Sequence, residues 1–427
     1  MSAFHYIIFI FAFYLNRSAP EADFIFLTRE INSRVELLNY WIFFLRSVVT
    51  LFCVLAIKSG KQEWYENNLI YIINSLLVYW ISWVSDYLSF YLLFEISLLP
   101  IFIVIAGWGR STERINAGYR LFFISLLFGS PLIFIIVQMK TVLAYYYYGI
   151  NFFTNPSAED RFFISTGWWL TYLGFFSKLP IFGFHIWLPL AHYQAPLTGS
   201  ILLAGIILKL GLTGMVRVVE FSSGEAPALI VIGLSLVGYV VIGLICCSTA
   251  DIKLIVAYSS IGHIGLALIG ILLQGSSSIS GTLIIGLGHG FSSIGLFIIV
   301  DLIYQINRRK NQIHIQGQIE FDPALRLYVL ILVLHGIGSP PTSSLITEIT
   351  LSSLTLSWFV DFLSCLLFGI VLGRAFHLFI FKLTQKGRKN LDTWIFKSNL
   401  RAAEHAICIG LIVLRVVFTC AADRLII

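Results

Sequence analysis

The sequence predicts an all-α polytopic membrane protein, on three observations. Of 427 residues, 58% are hydrophobic and only 12% charged, against roughly 25% charged in a typical soluble domain. Apolar runs of membrane length recur from end to end. The runs are continuous and do not alternate in polarity, which favours helices over a barrel.

About thirteen spans are expected, near 4–15, 37–57, 67–85, 87–107, 118–138, 162–187, 196–219, 227–247, 251–273, 280–305, 325–358, 361–383 and 402–421. The first is short. The spans near 162–187 and 325–358 contain Pro180 and Pro340–Pro341 and are read as broken helices. Proline removes a backbone donor, and the freed groups survive at membrane depth only inside protein or beside a wet cavity. Each break carries an ionisable neighbour, Lys178 before Pro180 and Glu348 after Pro341. Paired interrupted helices of this kind point to an inverted structural repeat with ion sites at the breaks.

The longest polar stretches, roughly 16–36, 139–161, 306–324 and 384–401, are too short to fold alone. One transmembrane domain is therefore expected over 1–427, without an extramembrane catalytic module. Tyr145–Tyr148 reads as part of an interfacial aromatic belt. The net charge of +6 follows topology, not nucleic acid. Loops on one side carry Lys58, Lys61, Arg110, Arg114, Arg308, Arg309, Lys310, Lys386, Arg388, Lys389, Lys397 and Arg401, the other only Arg17, Arg29, Arg34, Lys140, Arg161 and Arg424. That bias places the first side, with the N-terminus, in the cytoplasm or matrix and the C-terminus outside. Residues 1–36 do not read as a cleavable targeting sequence.

Glu95, Lys178, Lys209 and Glu348 each interrupt an apolar, membrane-length stretch. A charge in hydrocarbon costs several kcal/mol unless it faces a bundle interior or water, so these are functional candidates. Desolvation disfavours the charged form of a carboxylate or an ammonium and an opposite charge nearby favours it, so paired groups of this kind can take up or release a proton as their separation changes. The competing reading is a static ion pair holding helices together. His289, His263, His185 and His192 form a second tier, because histidine exchanges protons near neutral pH. His185 and His192 flank the Trp187-Leu-Pro189 corner and can be interfacial. A membrane histidine can equally be just a hydrogen-bonded packing residue.

Other chemistries find no support. The six cysteines, Cys246 and Cys247 adjacent, form no metal-ligand spacing, so neither an iron–sulfur site nor a disulfide framework is indicated. The histidines lack zinc spacing. Gly262-His-Ile-Gly265 and Gly286-Leu-Gly288 lie inside apolar spans with no preceding strand, where helix packing explains them better than nucleotide binding.

Ser177-Lys-Leu-Pro-Ile-Phe-Gly-Phe-His-Ile-Trp-Leu-Pro-Leu-Ala-His-Tyr-Gln-Ala-Pro-Leu-Thr-Gly-Ser200, with Leu203-Ala-Gly-Ile-Ile-Leu-Lys-Leu-Gly211, closely resembles the signature of the antiporter-like subunits of respiratory complex I. Thr249–His263 and Gly288-His-Gly290 fit the same family. Phe94-Glu-Ile-Ser-Leu-Leu-Pro100 and the acidic Glu348 after Pro-Pro look most like its subunit 4 branch, since the subunit 5 type is expected to carry a lysine near that last position. The resemblance covers about 85–360, leaving 1–66 as shortened, divergent N-terminal helices and 361–427 as C-terminal helices. It implies an inverted pair of broken-helix repeats, with Glu95 and Lys178 as coupling pair, Lys209 as central relay, His289 as bridge and Glu348 as terminal site. It further implies a proton-translocating role with no cofactor in this chain, NADH, FMN, iron–sulfur clusters and ubiquinone belonging to other subunits. Neighbouring antiporter-like subunits and lipids such as cardiolipin are the implied partners, with no nucleic acid, in the mitochondrial inner membrane.

Two departures stand out. The helix count is one short of the family's, the loss falling at the N-terminus, and Gln194 stands where an acid is common. Phe and Tyr richness with short loops points to a divergent mitochondrially encoded version. The alternatives are a stand-alone cation/proton antiporter subunit and a structural subunit that has lost transport.

Overall fold

The computed structural model describes residues 42–307, 323–385 and 402–426, except 43, 54, 57–60, 85, 110, 144–166, 168, 169, 220–224, 274, 275 and 359. Its elements are helices: α1 Phe44–Cys53, α2 Lys61–Trp83, α3 Tyr87–Ile96, α4 Leu98–Trp108, α5 Arg114–Leu143, α6 over 170–178, α7 Trp187–Gln194, α8 Leu197–Val219, α9 Glu225–Ser248, α10 Ile252–Leu272, α11 Ser276–Asn307, α12 Pro323–Ile337, α13 Ser343–Trp358, α14 Val360–Gln385 and α15 Ala402–Ile426. Among the described residues, eight spans are long and apolar enough to cross a bilayer, α3 with α4 counting as one of them, and α1, 69–83 of α2 and α12 are shorter apolar helices. The span expected at 4–15 and the tyrosine run at 145–148 lie outside the described residues.

The exterior is unlike a soluble protein's. Phe123, Leu127, Ile230, Val371 and Val417 are among the most exposed large side chains, while Lys178, Lys209, His192, His289 and Arg415 are buried within a largely apolar core. An apolar exterior with charges turned to the bundle interior suits hydrocarbon as solvent. The centre is α8, α10 and α11. Every residue from Thr198 to Val219 and from Gly281 to Ile303 is buried, so these helices are surrounded by protein and reserved for interior contacts.

Both expected breaks are present. α6 ends where Leu179 N–H donates to Phe175 O at 2.8 Å and Pro180 has no N–H to continue; the chain then turns through Gly183 at φ +99° before α7. α12 ends in a Schellman motif, Ser339 N–H donating to Leu334 O and Gly338 N–H to His335 O. Gly338 stands at φ +72°, a conformation that disfavours any other residue. Pro340–Pro341 then carries the chain into α13.

Two irregularities go beyond the sequence reading. Ser97 separates α3 from α4 one residue after the turn bearing Glu95. Leu203–Ile207 forms a π turn inside α8, a feature that widens a helix and often marks a functional position. α5 runs from Arg114 to Leu143, longer at both ends than the expected 118–138.

Candidate functional site

Lys178, in the last turn of α6, reaches across to the end of α3. Its Nζ lies 3.3 Å from Glu95 Oε1, donates to Phe94 O at 2.6 Å, and sits 3.3 Å from the centre of the Phe94 ring. Glu95 Oε1 is thus held as an ion-pair contact, while the aligned hydrogen bond goes to the backbone. The carboxylate rests on α5 at Gly129, where an added Cβ would meet Oε1 at 2.9 Å. The glycine is therefore what lets Glu95 lie against α5.

A second group surrounds Lys209, just beyond the π turn. Its Nζ donates to Ala204 O at 2.6 Å and lies 3.3 Å from His289 Nδ1. An ammonium can only donate there, which makes Nδ1 the acceptor and leaves Nε2 to carry the ring proton. The His289 and His263 ring centres are 5.2 Å apart, and His263 is 6.1 Å from His377 of α14. Glu348 ends the series on α13, accepting from Arg374 Nη2 at 2.9 Å. Its carboxylate is buried, whereas the Arg374 side chain is 43% exposed.

The structure therefore joins Glu95 with Lys178, and Lys209 with His289 and His263. It sets Glu348 apart, paired to an arginine the sequence reading did not single out. His185 lies half-buried in the break after α6, its Nδ1 accepting from Gly183 N–H at 3.2 Å. His192 is fully buried and stacked on Phe297 with 4.6 Å between ring centres. Neither ring nitrogen of His192 has a hydrogen-bond partner among the described residues. Gln194 is tied to the start of α5, accepting from Ser111 Oγ and donating to Glu113 at 3.4 Å.

A common rule positions four of the buried cations. The last carbonyls of a helix have no partner in their own helix and form the negative end of its dipole. Lys178 takes Phe94 O near the end of α3. Lys253 takes Ala195 O at 2.8 Å and Tyr193 O at 3.4 Å at the end of α7. Arg415, on α15, takes His335 O at 3.4 Å at the end of α12, a carbonyl that also accepts from Ser344 Oγ at 2.7 Å. Lys209 takes a carbonyl of the π turn. The ends of α3, α7 and α12 and the π turn of α8 are thus each matched by a cation. Lys253, Arg374, His377 and Arg415 are the residues sequence reading missed. All four lie within predicted spans, so the criterion that singled out Glu95 and Lys209 applies equally to them. Among the described residues, no cluster of three or more His, Cys, Asp or Glu is placed to hold a metal ion.

Residues 84–373 match the family described as NADH:quinone oxidoreductase/Mrp antiporter, transmembrane. The chain is similar to NADH-ubiquinone oxidoreductase chain 4 of Locusta migratoria, 33% identical over 301 residues that cover 70% of this chain and 66% of the locust protein. It is also similar to that of Ceratitis capitata, 32% identical over 359 residues covering 82% and 77%. In fold it resembles a chain of respiratory complex I from Thermus thermophilus, with a TM-score of 0.80 at 18% identity, covering 91% of this chain and 84% of that one. A chain of the Mrp complex from Dietzia gives 0.75 at 17% identity, covering 90% and 44%. With a match over most of its length and relatives above 30% identity, the chain belongs to the NADH:quinone oxidoreductase/Mrp antiporter transmembrane family.

Proposed function

We propose that this chain is a proton-translocating membrane-arm subunit of an NADH:ubiquinone oxidoreductase, multi-pass in the mitochondrial inner membrane. The observation that carries the reading is the set of ionisable contacts inside a largely apolar bundle, Glu95–Lys178, Lys209–His289–His263 and Glu348–Arg374. The named activity and the membrane of the animal chain 4 relatives supply the rest. The chain carries no redox group in this reading; NADH, FMN, iron–sulfur clusters and ubiquinone belong to other subunits. Its partners are neighbouring antiporter-like subunits, with lipids such as cardiolipin at the apolar surface. The full bundle has about thirteen spans in an inverted repeat, with the N-terminus on the matrix side and the C-terminus on the intermembrane side.

The mechanism is electrostatic. Separating the Glu95–Lys178 pair from 3.3 Å to about 8 Å changes its interaction by about 3 kcal/mol at an effective dielectric near 20. That is enough to change the proton affinity of Lys178 without a large movement of helices. A proton then passes by way of Lys209, His289 and His263 toward Glu348. Lys209 is held by one carbonyl and one imidazole nitrogen, so it can lose a proton to His289 without leaving its place. A stand-alone cation/proton antiporter would use the same groups without a redox partner.

Native electrophoresis of the source membranes in mild detergent, with an NADH-oxidation stain and mass-spectrometric detection of this chain, separates the two. Co-migration with a large NADH-oxidising band is expected. Migration as a small, unstained complex would sink the reading and favour the antiporter.

A further inference from the structure

The path as described leaves a gap. His263 lies on α10 and Glu348 on α13, and among the described residues no hydrogen bond, ion pair or ring contact joins the two side chains. The element that reaches both is α14. Arg374 and His377 stand three residues apart on it, hence on one face. Arg374 holds the Glu348 carboxylate at 2.9 Å, and the His377 ring is 6.1 Å from that of His263. His377 is 1% exposed. Its Nδ1–H donates to Gly373 O at 2.8 Å, which fixes the tautomer and leaves Nε2 as the free acceptor.

That nitrogen has a defined environment. It lies against Gly336, where an added Cβ would collide with Nε2. Two residues on, a Cβ at Gly338 would meet both Glu348 carboxylate oxygens at 3.1 Å. The imidazole nitrogen and the acid thus press on the same glycine turn, where α12 ends. A small cavity lined by His263, His289, His335, Gly336, Ser344 and Arg415 includes the same Gly336 in its wall.

We propose that His377 is a further proton-transfer residue of this chain, carrying protons between His263 and the Glu348–Arg374 pair across the glycine turn of α12. In the first step a protonated His263 gives its proton to His377 Nε2. In the second, the same Nε2 gives it to the Glu348 carboxylate, which becomes the neutral acid. The proton enters and leaves by one nitrogen, because Nδ1–H stays bonded to Gly373 O. Both steps conserve protons and charge and need no other reactant. Arg374 acts through Glu348 and is a positioning residue.

The inference rests on the proton-translocating reading above, so the test carries a control. Inverted membrane vesicles with the assembled complex are assayed for NADH-driven proton uptake per NADH oxidised, for wild type, Lys209→Met, His377→Phe and His377→Gln. Gln keeps a polar amide near the position of Nε2 but cannot exchange a proton at neutral pH. Both His377 variants are expected to lose coupled turnover roughly tenfold or more, as for removal of a positioned proton-transfer group. Wild-type behaviour in His377→Gln, with loss in Lys209→Met, would overturn the inference and leave the function standing. Unchanged coupling in Lys209→Met as well would overturn the function itself. Cryo-electron microscopy of the wild-type complex gives a reading independent of any variant's assembly. Ordered water linking His263, His377 Nε2 and Glu348 supports the path, and a dry, closed turn contradicts it.

Discussion

At the scale of single residues, the account rests on how each charge is held. Glu95 needs a neighbour without a side chain, and Gly129 supplies it. Gly129→Ala would place a methyl 2.9 Å from Oε1 and 3.0 Å from Tyr91 Oη, pushing the carboxylate off α5. Coupled NADH oxidation in that variant is expected to fall several-fold, with electron transfer to an artificial acceptor unchanged, as assayed spectrophotometrically in membranes. Loss of both activities would instead mean that the subunit no longer assembles. Glu95, Lys178, Lys209 and Glu348 were legible because an ionisable residue in a long apolar run stands out. Arg415 and His377 satisfy the same test, yet the strings around them match no motif, and His377 carries no obligatory charge. The Glu348–Arg374 pair was not legible, since sequence does not tell which helix face meets which.

At the scale of elements, interruptions of helices are the organising device. Pro180 and Pro340–Pro341 announced two of them. Ser97 and the π turn at Leu203–Ile207 gave no signal, because a π turn depends on one residue too many for the surrounding packing and not on residue type. The same interruptions expose carbonyls, and Lys178, Lys253, Lys209 and Arg415 fill them. Two expectations follow from this division between relay and capping cations. Lys253→Met leaves Ala195 O and Tyr193 O without their donor inside the bundle, at a cost of about 1–3 kcal/mol. It should lower the temperature at which the purified complex dissociates while leaving protons taken up per NADH as in wild type. Gly338→Ala forces a side chain into left-handed backbone, costing about 1–2 kcal/mol, and presses on the Glu348 carboxylate. Its mark should be slower coupled turnover, because the added methyl displaces the terminal acid.

At the scale of the whole molecule, the all-helical class, the membrane setting and most span positions followed from composition and run length alone. A bilayer allows few architectures and imposes one helix length. Span number did not follow as firmly. α3 and α4 make one span from two helices, and among the described residues α1 and α12 are shorter than a bilayer is thick. The apolar exterior also gives a prediction. Leu127 is 67% exposed on α5, and Leu127→Lys puts a charge where hydrocarbon or a neighbouring subunit is expected, at a cost of about 2.5–3.5 kcal/mol. The amount of assembled complex on native gels should drop, with normal activity per complex formed. Unchanged assembly would show that this face of α5 meets water. On the function proposed above, buried charges couple NADH oxidation to proton movement, beginning at Lys178. The most direct measurement is proton uptake per NADH oxidised in inverted membrane vesicles whose assembled complex carries Lys178→Met. The account predicts that uptake and coupled turnover are lost while NADH oxidation by an artificial acceptor persists; proton uptake equal to wild type would contradict it.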